Sequence, residues 1–268
     1  MWRRLLSQGW PIALAGWLIA LHFRIDQMLL FRMRGPTELG GYAIAVRMSE
    51  IWGVLTNVIL TSLFPLLSRD AVDDRDRMER TFGLAYRYLY AAICPVALAL
   101  VLYPRFVIEL LFGPSFVDAA PALALLARAD VFVFTNSVTY NVLFAMDRQR
   151  EAALVAGASV AANTALNLMW IPPRGATGSA AASLLSYAAV PVIAMGIVPL
   201  RRTAAASLVH LIRPAAAIAL AGLAIRLLEM EPIPGLVVIA LVSPAALIAV
   251  GALGRSDLDL LGRAFAGR

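Results

Sequence analysis

Seven charged residues stand inside long apolar stretches of this chain, and the types and spacing of six of them are what could do chemistry. Arg24 and Asp26 are two apart, Arg47 and Glu50 three apart, and Arg128 and Asp130 two apart. A guanidinium presents a planar fork of donors that suits phosphate and carboxylate groups. A carboxylate can neutralise such a group or hold a cation. Residues three apart share a helix face, so Arg47 and Glu50 are expected on one side of their helix. Arg24, two residues from Asp26, is expected to point elsewhere. Gln27, Asn136, Asn141, Asn163 and Asn167 add neutral polar groups, with Asn163 and Asn167 at i, i+4. Hydrogen bonding between helices is their expected work, and lining a cavity is the alternative.

Enzyme chemistry finds little to stand on. Two histidines, His22 and His210, and one cysteine, Cys94, lie far apart, so no metal cluster and no disulfide framework is expected. A Gly-rich phosphate loop is missing. Clustered carboxylates occur only between Ser68 and Arg80, where five acids accompany four arginines, as in a solvated turn. The chain reads as a non-enzyme with no catalytic residues, no metal site and no nucleic-acid partner.

The elements that must position these charges follow from composition. Of 268 residues, 61% are hydrophobic and 15% charged, and the mean hydropathy is +0.78. A soluble domain carries about a quarter charged residues. This chain has too few to cover a surface in water, so it is expected to be an all-α, polytopic membrane bundle. At roughly 20 apolar residues per span, about eight transmembrane helices fit. They are expected at about 10–31, 41–67, 88–103, 119–146, 152–171, 176–200, 208–228 and 234–253. Gly35-Pro36, Gly113-Pro114 and Pro172-Pro173-Arg174-Gly175 read as turns. Arg105 to Phe116 is too short to span and reads as interfacial, as does an amphipathic tail from Arg255 to Arg268. Ala13-Leu14-Ala15 has the small-x-small pattern of a cleavage site but precedes any adequate apolar run, so a retained signal-anchor is expected.

Every one of the 23 basic residues is arginine, and the formal net charge is +6. Fourteen arginines fall at the N-terminus, in the loops after spans two, four and six, and in the tail. Five fall on the other side. By the positive-inside rule both termini are expected in the cytoplasm, as for a bacterial inner-membrane protein. Arg24, Arg47, Arg128 and Arg213 fall within spans, where a charge costs about 2.5–3.5 kcal/mol on insertion scales and needs a partner or a watery cavity. Arg213, with His210 near a cytoplasmic helix end, can snorkel to the headgroups. Asp26 and Arg47 come out at similar depth, roughly 7–9 Å below the outer surface, on antiparallel neighbours. An Asp26–Arg47 contact is therefore expected. Such charges either lock helices together or face a cavity that draws in an anionic group. Arg128 and Asp130, about 15 Å into their span, favour a cavity.

Several fragments resemble the C-terminal lobe of the polysaccharide (Wzx-type) flippases, a family in the superfamily of MATE antiporters and the peptidoglycan-precursor flippase. They are Phe23-Arg24-Ile25-Asp26-Gln27, Gly41-Tyr42-Ala43-Ile44-Ala45-Val46-Arg47 and Leu63-Phe64-Pro65. Leu111-Phe112-Gly113-Pro114 follows. The fifth fragment is the stretch from Asn163-Thr164-Ala165-Leu166-Asn167 through Ile171-Pro172 to Ser186-Tyr187. The resemblance implies a six-helix lobe over 1–200 of a two-lobe, alternating-access transporter. Residues 201–268 then add two helices and a cytoplasmic tail. Its implied cargo is a lipid-linked oligosaccharide. Arg24, Arg47 and Arg128 are the candidates for the anionic pyrophosphate, with Asp26, Glu50 and Asp130 as charge-pair or coupling residues. No cofactor is implied beyond a coupling ion, H+ or Na+. Implied partners are an N-terminal lobe, from the same gene, a separate chain or a second copy, and polysaccharide-assembly proteins. The competing expectations are a cation-coupled small-molecule antiporter and a non-transporting scaffold for polysaccharide assembly.

Overall fold

Apolar runs punctuated by Gly and Pro fold here into helices that end where those residues force an end. The computed structural model describes residues 2–73, 75–197 and 201–249. Helix α1 is Trp2–His22 and α2 is Ile25–Arg34, bent 42° from it at Phe23-Arg24. Gly35, at φ 86, closes α2 with its N–H on the Phe31 carbonyl at 3.0 Å. Pro36 then opens α3, Pro36–Asp73, at the one helical position where a missing N–H costs nothing. Helix α4 is Arg75–Leu102, and α5, Pro104–Phe112, turns 88° away from Tyr88–Leu102. Gly113, at φ 89, repeats the Gly-Pro device before the 3-10 turn Pro114–Ala119 and helix α6, Ala120–Ala145. Helices α7, Gln149–Met195, α8, Arg201–Leu227, and α9, Pro232–Ala249, follow.

The expected turn at 172–175 is a sharp break inside α7. Gly175 adopts φ 54, ψ −134, a conformation open essentially to glycine alone. A Cβ there would collide with the Glu38 carboxylate. That carboxylate accepts the Ala176 N–H at 2.7 Å, capping the second half of α7. Residues 149–174 and 176–195 thus form the two arms expected as separate spans. The solvated loop expected over Ser68–Arg80 is instead helical on both sides, α3 running to Asp73 and α4 starting at Arg75. The tail from Arg255 lies outside the described residues.

Helix α6 packs against α3, α4 and α7, and α7 packs against α1 and α2. One apolar core gathers Tyr86, Leu89, Tyr90, Phe134 and Val138, and a second gathers Leu30, Tyr42, Leu123 and Ile171. Large apolar side chains are also exposed, among them Trp17, Leu110, Leu154, Met169, Leu220 and Leu241. That outward-facing surface suits hydrocarbon. Among the described residues, α7 and His210–Leu227 are long and apolar enough to cross a membrane. The bent pairs Gly9–His22 with α2 and Tyr88–Leu102 with α5 qualify as broken spans or re-entrant turns. The chain is an all-helical, multi-pass membrane bundle.

Candidate functional site

The break between α1 and α2 sets the site. It interrupts the helix at Phe23-Arg24, and Arg24 within it and Asp26 just after it both line one cavity. A cavity of about 470 Å³ lies between this break, α3, α6 and the second arm of α7. On α3 it is faced by Val46, Ser49, Glu50 and Gly53, a stripe at helical spacing. On α6 it is faced by Leu126, Ala129, Asp130, Val133, Phe134 and Ser137, and on α7 by Tyr187.

Asp26 is 4% exposed. Tyr42 Oη donates to its Oδ2 at 2.6 Å, and the Gln27 N–H donates to its Oδ1 at 2.7 Å. Ser183 Oγ adds a longer contact of 3.4 Å. The expected Asp26–Arg47 contact is not formed. Arg24 instead bridges to Glu50, Nη1 to Oε1 at 3.1 Å. Azimuth decides between them. Arg47 follows Val46 by one residue, about 100° round α3, and so leaves the stripe that carries Ser49 and Glu50. It is exposed and makes no ion pair among the described residues. Arg47 and Glu50 stay about 60° apart round the helix, and of the two only Glu50 lines the cavity.

The Arg128–Asp130 pair also divides. Arg128 is exposed, lies outside the cavity lining, and donates from Nη1 to the Ala124 carbonyl of its own helix at 2.7 Å. The cavity location expected for it is not found. Asp130 is 5% exposed and lines the cavity. Ser49 Oγ donates to its Oδ1, while its Oδ2 is buried without a hydrogen-bond partner among the described residues.

The asparagines mostly join helix to helix. Asn163 Nδ2 donates to Ser186 Oγ at 3.0 Å, across the two arms of α7. Asn167 Nδ2 donates to Asn163 Oδ1 at 2.9 Å, and Ser179 Oγ donates to Asn167 Oδ1 at 2.9 Å. Asn136 Nδ2 donates to the Tyr187 carbonyl at 3.1 Å. Asn141 and Gln27 stay within their own turns, bonding Ser137 and Phe23 carbonyls. Sequence reasoning missed the partners. His22 Nε2 lies 3.1 Å from Ser186 Oγ with its ring against Tyr187, and Tyr42, Ser49 and Ser183 hold the two aspartates. The signal available was the Tyr42, Ser49, Gly53 register of α3, whose significance depends on which way α3 faces.

Residues 1–121 match the family model described as polysaccharide biosynthesis protein. An uncharacterized membrane protein of Methanocaldococcus jannaschii is 25% identical over 190 residues, covering 69% of this chain and 37% of that protein. A probable low-salt glycan biosynthesis flippase of Haloferax volcanii is 22% identical over 158 residues, covering 59% of this chain and 34% of that one. A probable flippase of the same organism, AglR, is 25% identical over 69% of this chain and 40% of its own length. The chain thus spans only about a third to two-fifths of these relatives. Among solved structures, the lipid II flippase MurJ in an inward closed conformation shares the fold. Its TM-score is 0.69 at 13% identity, over 85% of this chain and 51% of that one. The match over residues 1–121, the flippase-like relatives and the shared fold make the chain similar to the polysaccharide flippase-type proteins.

Proposed function

We propose that this chain is one lobe of a membrane flippase that carries lipid-linked oligosaccharide or polysaccharide precursors between leaflets by alternating access. The observation that carries this reading is the cavity, walled by the α1–α2 break, α3, α6 and α7, in a fold shared with the lipid II flippase. Repeat-built transporters place their substrate near the bilayer midplane between two lobes, at broken helices. Here the broken helix supplies Arg24 and Asp26 to the cavity. Residues 1–200 are the lobe itself, and 201–268 are two added helices and a tail. The opposing lobe comes from the same polypeptide, a separate chain or a second copy. Arg24, its side chain half-exposed at the cavity's rim, is the arginine best placed for a pyrophosphate, with Arg47 on the neighbouring face of α3. The setting is the bacterial inner membrane with both termini cytoplasmic.

The test is restoration of surface polysaccharide in a flippase-deficient strain by this chain expressed with a six-helix N-terminal lobe. Export should be restored, and lost in the Arg24→Ala, Arg47→Ala double variant. No restoration overturns the reading, and export that ignores both substitutions points to a scaffold. The two buried acids at the cavity favour a second reading, a cation-coupled antiporter. Asp26→Asn separates the two, since the flippase reading predicts unchanged drug tolerance.

A further inference from the structure

The charges lining the cavity have the wrong sign for an anion. Its described lining holds Arg24, Asp26, Glu50 and Asp130. Arg24 is taken by Glu50. Asp26 is satisfied by Tyr42, the Gln27 N–H and Ser183. Asp130 differs. Among the described residues it has one donor, Ser49, and its buried Oδ2 has none, and Arg128 two residues away is turned out onto its own helix. A carboxylate at membrane depth with an unpaired oxygen is costly to keep, which marks it as a place for a ligand to complete.

The surroundings narrow the ligand. Phe23, Phe134 and Tyr187 share the cavity wall with Asp130. Aromatic faces beside a carboxylate are the chemistry that recognises an ammonium group. Behind Tyr187 and Ser137 lies a second pocket of about 30 Å³, where Asn136 Oδ1 and Tyr140 Oη also lack partners among the described residues. That is room for about one water, which could complete both groups. A cavity of about 470 Å³ is within the ordinary size range of small-molecule sites.

From this placement we infer that Asp130 is a specificity-determining residue, and that the cavity of this lobe receives the amine-bearing sugar of a glycan rather than its phosphate or an acidic sugar. The source of the amine rests on the flippase reading. The ammonium site rests on the cavity alone. Acidic sugars are disfavoured because the described lining carries three carboxylates against one guanidinium.

The test uses the full chain purified in detergent and two disaccharide probes, chitobiose with free amines and its N,N′-diacetyl form, titrated by calorimetry at constant ionic strength. Chitobiose should bind at least about tenfold more tightly, the scale of one charge-assisted hydrogen bond. Asp130→Asn should remove that advantage and leave the diacetyl form's affinity unchanged. If Asp130→Asn does not fold by circular dichroism, Asp130→Glu takes its place, with a reduced amine advantage expected. Equal binding of the two probes, no saturable binding of chitobiose, or an advantage that survives loss of the carboxylate overturns the inference. So does tetraethylammonium binding as tightly as chitobiose with the same dependence on Asp130, which would make the site one for free organic cations. Loss of chitobiose binding when sodium replaces potassium would assign the site to an inorganic cation and equally overturn it. If restoration of polysaccharide fails while the amine advantage persists, the flippase reading falls and the ammonium site stands.

Discussion

Asp26 and Asp130 are buried to the same degree and differ in what surrounds them. The Tyr42 hydroxyl reaches Asp26 at 2.6 Å, the serine at 183 only at 3.4 Å. Hydrogen bonds to charged groups contribute about 1.5–3 kcal/mol, and length weakens them steeply. Tyr42→Phe should therefore destabilise the protein by about 1–2 kcal/mol, and Ser183→Ala by clearly less, in thermal or denaturant unfolding in detergent. Equal effects would mean that Tyr42 does not hold Asp26 in solution. Arg24 and Glu50 carry a more modest expectation, because their side chains are 58% and 40% exposed. An exposed ion pair is worth about 0–1 kcal/mol, so the pair positions Arg24 more than it stabilises the bundle.

At the scale of elements, breaks matter more than helices. The Phe23-Arg24 bend, the Gly35-Pro36 and Gly113-Pro114 turns and the Gly175 break fix where each face points. The last ties α3 to the second arm of α7 through Glu38, which also pairs with Arg34 of α2. Gly175→Ala introduces a forbidden backbone conformation and pushes the Glu38 carboxylate off the Ala176 N–H. A loss of about 1–3 kcal/mol is expected in the same unfolding measurement. Gly157→Ala in the first arm is the control. Its new Cβ would meet only Leu18 Cδ1, at 3.7 Å, and helix propensity improves. The turns were legible because Gly and Pro act locally. The Ser68–Arg80 stretch was misread because a charge run suits a helix end as well as a loop.

For the whole molecule, the arginine asymmetry predicts topology. A fluorescent protein fused after Arg268 should fluoresce, and alkaline phosphatase at the same position should stay inactive. The reverse pattern would place the C-terminus outside and invert the assignment of the cavity's two ends. The polar seam through His22, Ser159, Asn163 and Ser186 joins α1 to both arms of α7, all buried at 5% exposure or less. Such a seam stiffens one side of the bundle, against which a second lobe could rock.

The sequence determined the class of molecule. Too few charges for water, arginines biased to one side and Gly-Pro punctuation all read directly from composition and local sterics. It also gave each charged residue an expected depth, because a helix rises by a constant 1.5 Å per residue. It did not determine their azimuth. The expected Asp26–Arg47 contact is not formed, and Arg128 and Asp130 are near neighbours with opposite fates. Which way a side chain faces depends on how a whole helix is rotated against its neighbours, and that is set by packing among α3, α6 and α7 together. Only the tertiary structure decided that the arginines are spent at the rim or outside, and that the carboxylate left unpaired in the cavity is Asp130.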